Sequence, residues 1–133
     1  MGLIFVKANE LDKNVKCSIH KTGKLGFNDN AIKKLSIDNT KSIKIAYEDN
    51  DSELKNLYIE VVNGVIEEAF KIIKAGEYYY INTKPFFDKK GIDYSEGNIK
   101  YEITDYEHEG IKMFKLTKKV NKKRRTKQDI QEQ

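Results

Sequence analysis

Val15-Lys16-Cys17-Ser18-Ile19-His20-Lys21-Thr22-Gly23-Lys24-Leu25-Gly26-Phe27-Asn28-Asp29-Asn30-Ala31-Ile32-Lys33-Lys34-Leu35-Ser36-Ile37 is the stretch on which the fold turns. Val15 to Ile19 alternates apolar and polar side chains, as a half-buried strand does. His20 to Gly23 is a turn signal, and the alternation resumes over Lys24 to Phe27. Asn28-Asp29-Asn30 then offers N-cap side chains. Ala31, Ile32 and Leu35 follow at helical spacing on one face, which predicts a helix of one or two turns.

Downstream, Asp38 to Lys41 is a turn, and Ile43, Ile45 and Tyr47 alternate as a strand. An acidic loop, Glu48 to Glu53, leads to a strand over Leu57 to Val62, so these two strands form a hairpin. Val65 to Lys74 connects to the second half. Ile66, Ala69, Phe70 and Ile73 recur at helical spacing there, although Val65, Ile72 and Ile73 also suit a strand, and we expect helix or mixed character. Ala75-Gly76 ends it.

The second half repeats the order of the first. Glu77 to Ile81 reads as a strand and Pro85 to Lys90 as a short helix, with Pro in its first turn and Gly91 as its stop. Ile99, Tyr101 and Ile103 form the next strand, Asp105 to Gly110 an acidic loop, and Met113 to Leu116 closes a second hairpin. At an offset of 55 to 56 residues Ile32 falls on Phe87, Ile37-Asp38 on Ile92-Asp93, and Tyr58 on Phe114.

The expected fold is therefore mainly β with short helices (β or α+β). One globular domain, residues 1–117, consists of two β-α-β-β repeats, 15–62 and 76–117, joined by the connector 63–75. Two copies bury their cores by packing around a pseudo-twofold axis, and a closed barrel removes the exposed edges of such short strands. Ile32, Leu35, Ile43, Ile45, Phe87, Ile99, Tyr101 and Ile103 are the expected core.

Charge is distributed unevenly. Residues 118–133 hold seven basic and two acidic side chains, a net of +5, whereas residues 1–117 sum to −1. Within that body the segment 12–34 carries +4 and the segment 44–110 carries −7. With almost no apolar side chains, the tail 118–133 is expected to be disordered in isolation. Its Lys118, Lys119, Lys122, Lys123, Arg124, Arg125 and Lys127 suit phosphates or an acidic protein groove, against a plain role in solubility.

Nothing approaches the run of apolar residues that a membrane span needs, and Met1 to Val6 is too short and lacks the cleavage pattern of a signal peptide. Cys17 cannot form an intrachain disulfide and reads as a small buried hydrophobe in a reducing compartment. The location expected is cytoplasmic, or inside a phage particle. His20 and His108 stand far apart with no Cys nearby, so both are expected to be ordinary surface residues, with no metal and no cofactor. No nucleophile–base pair, carboxylate pair or Gly-rich phosphate loop is present, and we expect no enzyme. In the run Tyr78-Tyr79-Tyr80, Tyr78 and Tyr80 face one way and Tyr79 the other. At least one side is core, and the other is a possible stacking surface for bases.

The stretch from Thr22 to Ile37, followed by a turn and Ile43-Lys44-Ile45, resembles the AbrB/SpoVT (MazE-type) swapped-hairpin family. The shared pattern is a small basic Gly turn, an apolar strand, a short helix ending in Leu-x-Ile, a polar turn and an alternating strand. The match runs over about 30 residues, or about 45 with the hairpin through Val61. The resemblance implies two interleaved hairpin units in one barrel, and DNA binding through basic loops and first strands. Carried onto this chain, the contacts are Lys16, His20, Lys21, Lys24, Lys33 and Lys34. Asn28-Asp29 stands where the family has Pro, and Lys33 and Lys34 stand where it has Arg. Lysine supplies charge without the planar fork that reads guanine edges.

Two functions follow as expectations. The first is a non-enzymatic nucleic-acid-binding protein using the basic segment and the tail. The second is a protein–protein assembly module, such as an accessory component of a phage particle or of a toxin–antitoxin-like complex, with the tail on an acidic partner. Either allows a homo-oligomer.

Overall fold

The computed structural model describes residues 2–5, 15–97 and 99–119. Its elements are β1 (Lys16–Ile19), β2 (Leu25–Phe27), α1 (Asp29–Leu35), β3 (Lys41–Ala46), β4 (Asn56–Asn63), β5 (Phe70–Ala75), β6 (Tyr78–Ile81), α2 (Lys84–Lys89), β7 (Ile99–His108) and β8 (Ile111–Lys119). The eight strands are antiparallel and close into a barrel in the order β1-β2-β6-β5-β3-β4-β8-β7. The ring shuts where β1 meets β7, from Lys16 opposite Glu102 to Ile19 opposite Ile99. Eight strands leave an interior that side chains can fill. Here Ile19, Leu25, Ile43, Ile59, Ile81 and Leu116 fill it, each wholly buried.

The ring order has an internal symmetry. Exchanging β1 with β5, β2 with β6, β3 with β7 and β4 with β8 returns the same circle. Hairpins from the two halves alternate around it, so each hairpin is flanked on both sides by the other half. Local detail repeats at an offset of 55. Ile32 N donates to Asn28 O and Ile37 N to Ile32 O, both at 3.0 Å; Phe87 N donates to Thr83 O and Ile92 N to Phe87 O, again at 3.0 Å. After each helix an Asp carboxylate closes the same turn, Asp38 accepting from Thr40 N at 2.8 Å and Asp93 from Ser95 N at 3.1 Å. Both helices are followed by a left-handed residue, Ser36 (φ 56°) in one and Gly91 (φ 73°) in the other.

Each helix sits at one end of the barrel. α1 lies where β7 finishes, with Lys34 Nζ 3.2 Å from Asp105 Oδ1, and buries Ala31 and Leu35. α2 lies at the opposite end, where Phe86 meets Tyr47 just beyond β3 at 5.6 Å between ring centroids, and it buries Phe87. Of the expected core, Leu35, Ile43, Phe87, Tyr101 and Ile103 are buried, and Ile32, Ile45 and Ile99 are half-buried against it.

Three expectations need correction. The connector is not helical at its end: Phe70 to Ala75 is strand β5, with Ile72 buried in the core and Lys71 outside it. Ile73 misleads the reading, because it is an apolar residue on the outer side of a period-two strand. Each repeat is therefore β-β-α-β-β, over 16–63 and 70–119. The loop expected at Asp105 to Gly110 is mostly strand, since β7 runs on to His108 and only Glu109-Gly110 turns. Likewise β8 continues through Lys118 and Lys119, which belong to the barrel and not to the tail. No described helix is long and apolar enough to cross a membrane.

Candidate functional site

Cross-strand register lines up a row of residues on the outer wall. Lys119 lies opposite Lys100, Lys100 opposite Ser18, Ser18 opposite Gly26, Gly26 opposite Tyr80, and Tyr80 opposite Ile73. Ser18 and Gly26 are small, so the wall is shallow between them, and a groove of about 260 Å³ opens there. Lys16, Lys100, His20, Asn28 and Tyr78 stand around it.

Gly26 is required by this arrangement. A Cβ built at Gly26 would lie 1.7 Å from the Tyr78 hydroxyl and 2.7 Å from His20 Nε2. The absence of a side chain thus lets the Tyr78 ring lie across the strand. Tyr78 stacks on His20 with centroids 5.3 Å apart and planes 28° apart, and its hydroxyl is hydrogen-bonded to the imidazole. Tyr80 follows Tyr78 at 5.9 Å. Lys24 Nζ sits 4.7 Å from the Tyr80 ring centroid, a cation–π contact. Partial burial first, and then the Lys24 charge, lower the His20 pKa and favour the neutral ring.

Asn28 fixes the groove to α1. Its side-chain oxygen accepts from Ala31 N at 2.9 Å as the helix N-cap and from Lys16 N at 3.3 Å, and Asn28 N donates to Lys16 O at 3.1 Å. At the position corresponding to Asn28, Thr83 makes no side-chain cap and instead donates from Oγ1 to Gly23 O at 2.9 Å, wholly buried.

The expected site residues scatter. Lys16, His20, Lys24 and Lys119 come together at or beside the groove. Lys21 is on the β1–β2 loop, where Gly97 leaves room for its stem. Lys33 is exposed on the last turn of α1. Lys34 lines a different depression, about 220 Å³, with Lys41 and Lys112 at the α1 end. Lys118 is half-buried and donates to Glu53 O at 2.8 Å, so it is a strut for the β3–β4 loop. Lys119 turns outward and meets Glu102 at 3.3 Å. Lys122, Lys123, Arg124, Arg125 and Lys127 lie outside the described residues. Tyr79 faces inward against the core and, as the alternation predicts, opposite to Tyr78 and Tyr80. His20, one of the contacts that the resemblance implies, is half-buried and stacked on Tyr78.

Lys100 was missed by sequence reasoning. Its signal was present in the alternation of Ile99, Lys100 and Tyr101, which puts Lys100 outward, but its pairing with Ser18 needs the closed ring. Burial pushes the Cys17 thiol pKa far up, so it stays protonated and is a core residue. Among the described residues no group of three or more His, Cys, Asp or Glu is placed to hold a metal ion. Comparison of the chain with family models, curated proteins and solved structures finds no match.

Proposed function

We propose that this chain is a non-enzymatic nucleic-acid-binding barrel whose interface is the outer wall around Ser18 and Gly26. The observation that carries it is the convergence of Lys16, Lys24, Lys100 and Lys119 with Tyr78 and Tyr80 on one wall of a body whose overall charge is near zero. Local positive charge beside aromatic rings is what a phosphate chain with bases needs. The groove is smaller than the roughly 300–1,000 Å³ of enclosed small-molecule sites, and it opens along a wall where an extended ligand can lie. β8 ends at Lys119, opposite Lys100, and the sequence continues with the basic residues Lys122, Lys123, Arg124, Arg125 and Lys127. The interleaved hairpins supply the architecture that the AbrB/SpoVT resemblance implies, and membership of that family is part of this proposal.

Anisotropy of labelled DNA and RNA oligonucleotides, titrated with salt, tests the reading. Binding is expected to weaken with salt by about 0.7–0.9 in log–log slope for each phosphate contact. Removing residues 120–133 and, separately, changing Lys16, Lys24 and Lys100 to Gln should each flatten that slope. Absence of binding to either nucleic acid at low salt sinks the proposal.

A second reading, an assembly module, is favoured by one observation. Leu3, Ile4 and Phe5 are 81, 94 and 86% exposed, an apolar tripeptide of the kind that marks contact with another protein. Retention of partner binding after loss of Leu3 to Phe5 would remove that support.

A further inference from the structure

We infer that the ligand of the groove is a single strand, bound with its bases stacked on the His20–Tyr78–Tyr80 rings and its phosphates toward Lys16 and Lys100. This rests on the nucleic-acid reading and names the form that the nucleic acid takes.

The argument starts from which faces each partner offers. In a duplex every base has its two faces covered by neighbours, so a protein meets only phosphates and groove edges. Reading edges calls for planar, forked donors, and the described residues contain no arginine at all. What this wall offers instead is ring faces. His20, Tyr78 and Tyr80 are each half-buried, and successive centroids lie 5.3 and 5.9 Å apart with planes within about 32° of each other. A ring face is useful only to a base whose own face is free, which means an unstacked base in a single strand.

Charge placement agrees with this orientation. Lys100 and Lys16 lie on the β7 and β1 side of the floor, and Tyr78 and Tyr80 on the β6 side. A strand laid along the groove therefore has Lys16 and Lys100 on one flank, with Glu102 opposite Lys16 and paired to Lys119, and rings on the other. Lys24 already places a cation over the face of Tyr80. A base taking that place releases the ammonium to a phosphate. The corresponding surface of the other half has no such platform, because Ile73 stands where Ser18 does and Tyr80 where Gly26 does.

The test uses the intact chain and three probes of equal length: a deoxythymidine oligonucleotide, a duplex, and an abasic deoxyribose-phosphate chain. Stacking is worth roughly ten- to a hundredfold per base. The thymidine strand should bind at least tenfold more tightly than both other probes at matched low salt. The chain has eight Tyr and no Trp, so its intrinsic emission reports tyrosine directly. That emission should be quenched by the thymidine strand and not by the abasic chain. Tyr78→Leu and Tyr80→Leu, with unchanged circular dichroism, should lower the preference while leaving the salt slope as it was. A preference below tenfold for the intact protein overturns the single-strand inference and leaves the phosphate-binding reading standing. No binding of any of the three probes at low salt overturns both.

Discussion

Ser18 and Gly26 in the first half occupy the places that Ile73 and Tyr80 hold in the second, on either side of a Gly26–Tyr80 pair that lies across the pseudo-twofold. The backbone is the same on both sides: hairpin, helix, hairpin, with matching hydrogen bonds 55 residues apart. Only the side-chain volume differs. Small residues leave a groove in one copy, and large ones fill its counterpart. The helices differ in the same sense. α1 is capped by Asn28 and presents a half-buried Ile32, whereas α2 starts at Lys84, with Pro85 in its first turn, and drives Phe87 wholly into the core. Two copies of one scaffold can thus differ on the outer wall while both supply the core, the first through residues such as Ile19, Leu25 and Ile59 and the second through Ile81, Phe87 and Leu116.

That contrast can be broken at several points, and the helices give the largest effect. Phe87→Ala should cost about 3–5 kcal/mol, whereas Ile32→Ala, at the corresponding but half-buried position, should cost about 1–2 kcal/mol. Denaturant midpoints measure both, and equal losses would mean that the two helices support the core alike. The helix starts come next. Thr83→Val leaves the buried Gly23 carbonyl without its donor and should cost about 1–3 kcal/mol. Asn28→Ala removes a cap and should cost about 1 kcal/mol. If Asn28→Ala proves the more damaging, the groove side carries the fold.

Filling the groove sharpens the comparison further. Ser18→Ile copies the second half onto the first, and it should leave stability within about 0.5 kcal/mol because the site faces outward. Oligonucleotide affinity should nonetheless fall about tenfold, or ~1.4 kcal/mol. Unchanged affinity would show that the groove is not the interface.

The smallest effect is a pH dependence confined to the first half. The His20 pKa is lowered in the fold, so the unfolded chain binds the proton more readily. Stability contributed by neutral His20 is complete above the ordinary imidazole pKa and is lost as pH falls through the lower folded value. Tyr78→Leu uncovers the ring and should move its pKa back up, which NMR titration of the imidazole resonances reads directly. The corresponding residue of the second half, Ala75, has no ionisable side chain.

Strand alternation at Val15 to Ile19 and Ile99 to Ile103, and the 55-residue offset, made the repeats and most of the core legible in the chain. β5 was hidden because Ile73 faces outward and Ile66 and Ala69 precede the strand in a turn, which together mimic helical spacing. The strand character of Lys118 and Lys119 was hidden by their charge. Lys118 snorkels to Glu53 O, and Lys119 lies on the wall. Basic residues of the site were partly legible from their number between residues 12 and 34. Their sorting was not. Whether Lys34 or Lys100 flanks Ser18 depends on which strand closes the ring, and that is a contact between residues more than 80 apart.

The alternation of hairpins also governs how the molecule comes into being. Synthesis runs from the N-terminus, yet β1 has no lasting neighbour on one side until residues 99–102 have been made, and β4 waits for residues 114–117. No half can finish by itself, so the emerging chain carries unpaired strand edges for most of its translation. The contacts that then form are long-range, which makes for slow collapse. A ribosome must deliver nearly the whole barrel before any of it is safe from aggregation. Conversely, cleavage of a strand-to-strand connection such as Gly64 to Ala69 would not release a working half, because the two pieces remain woven through each other.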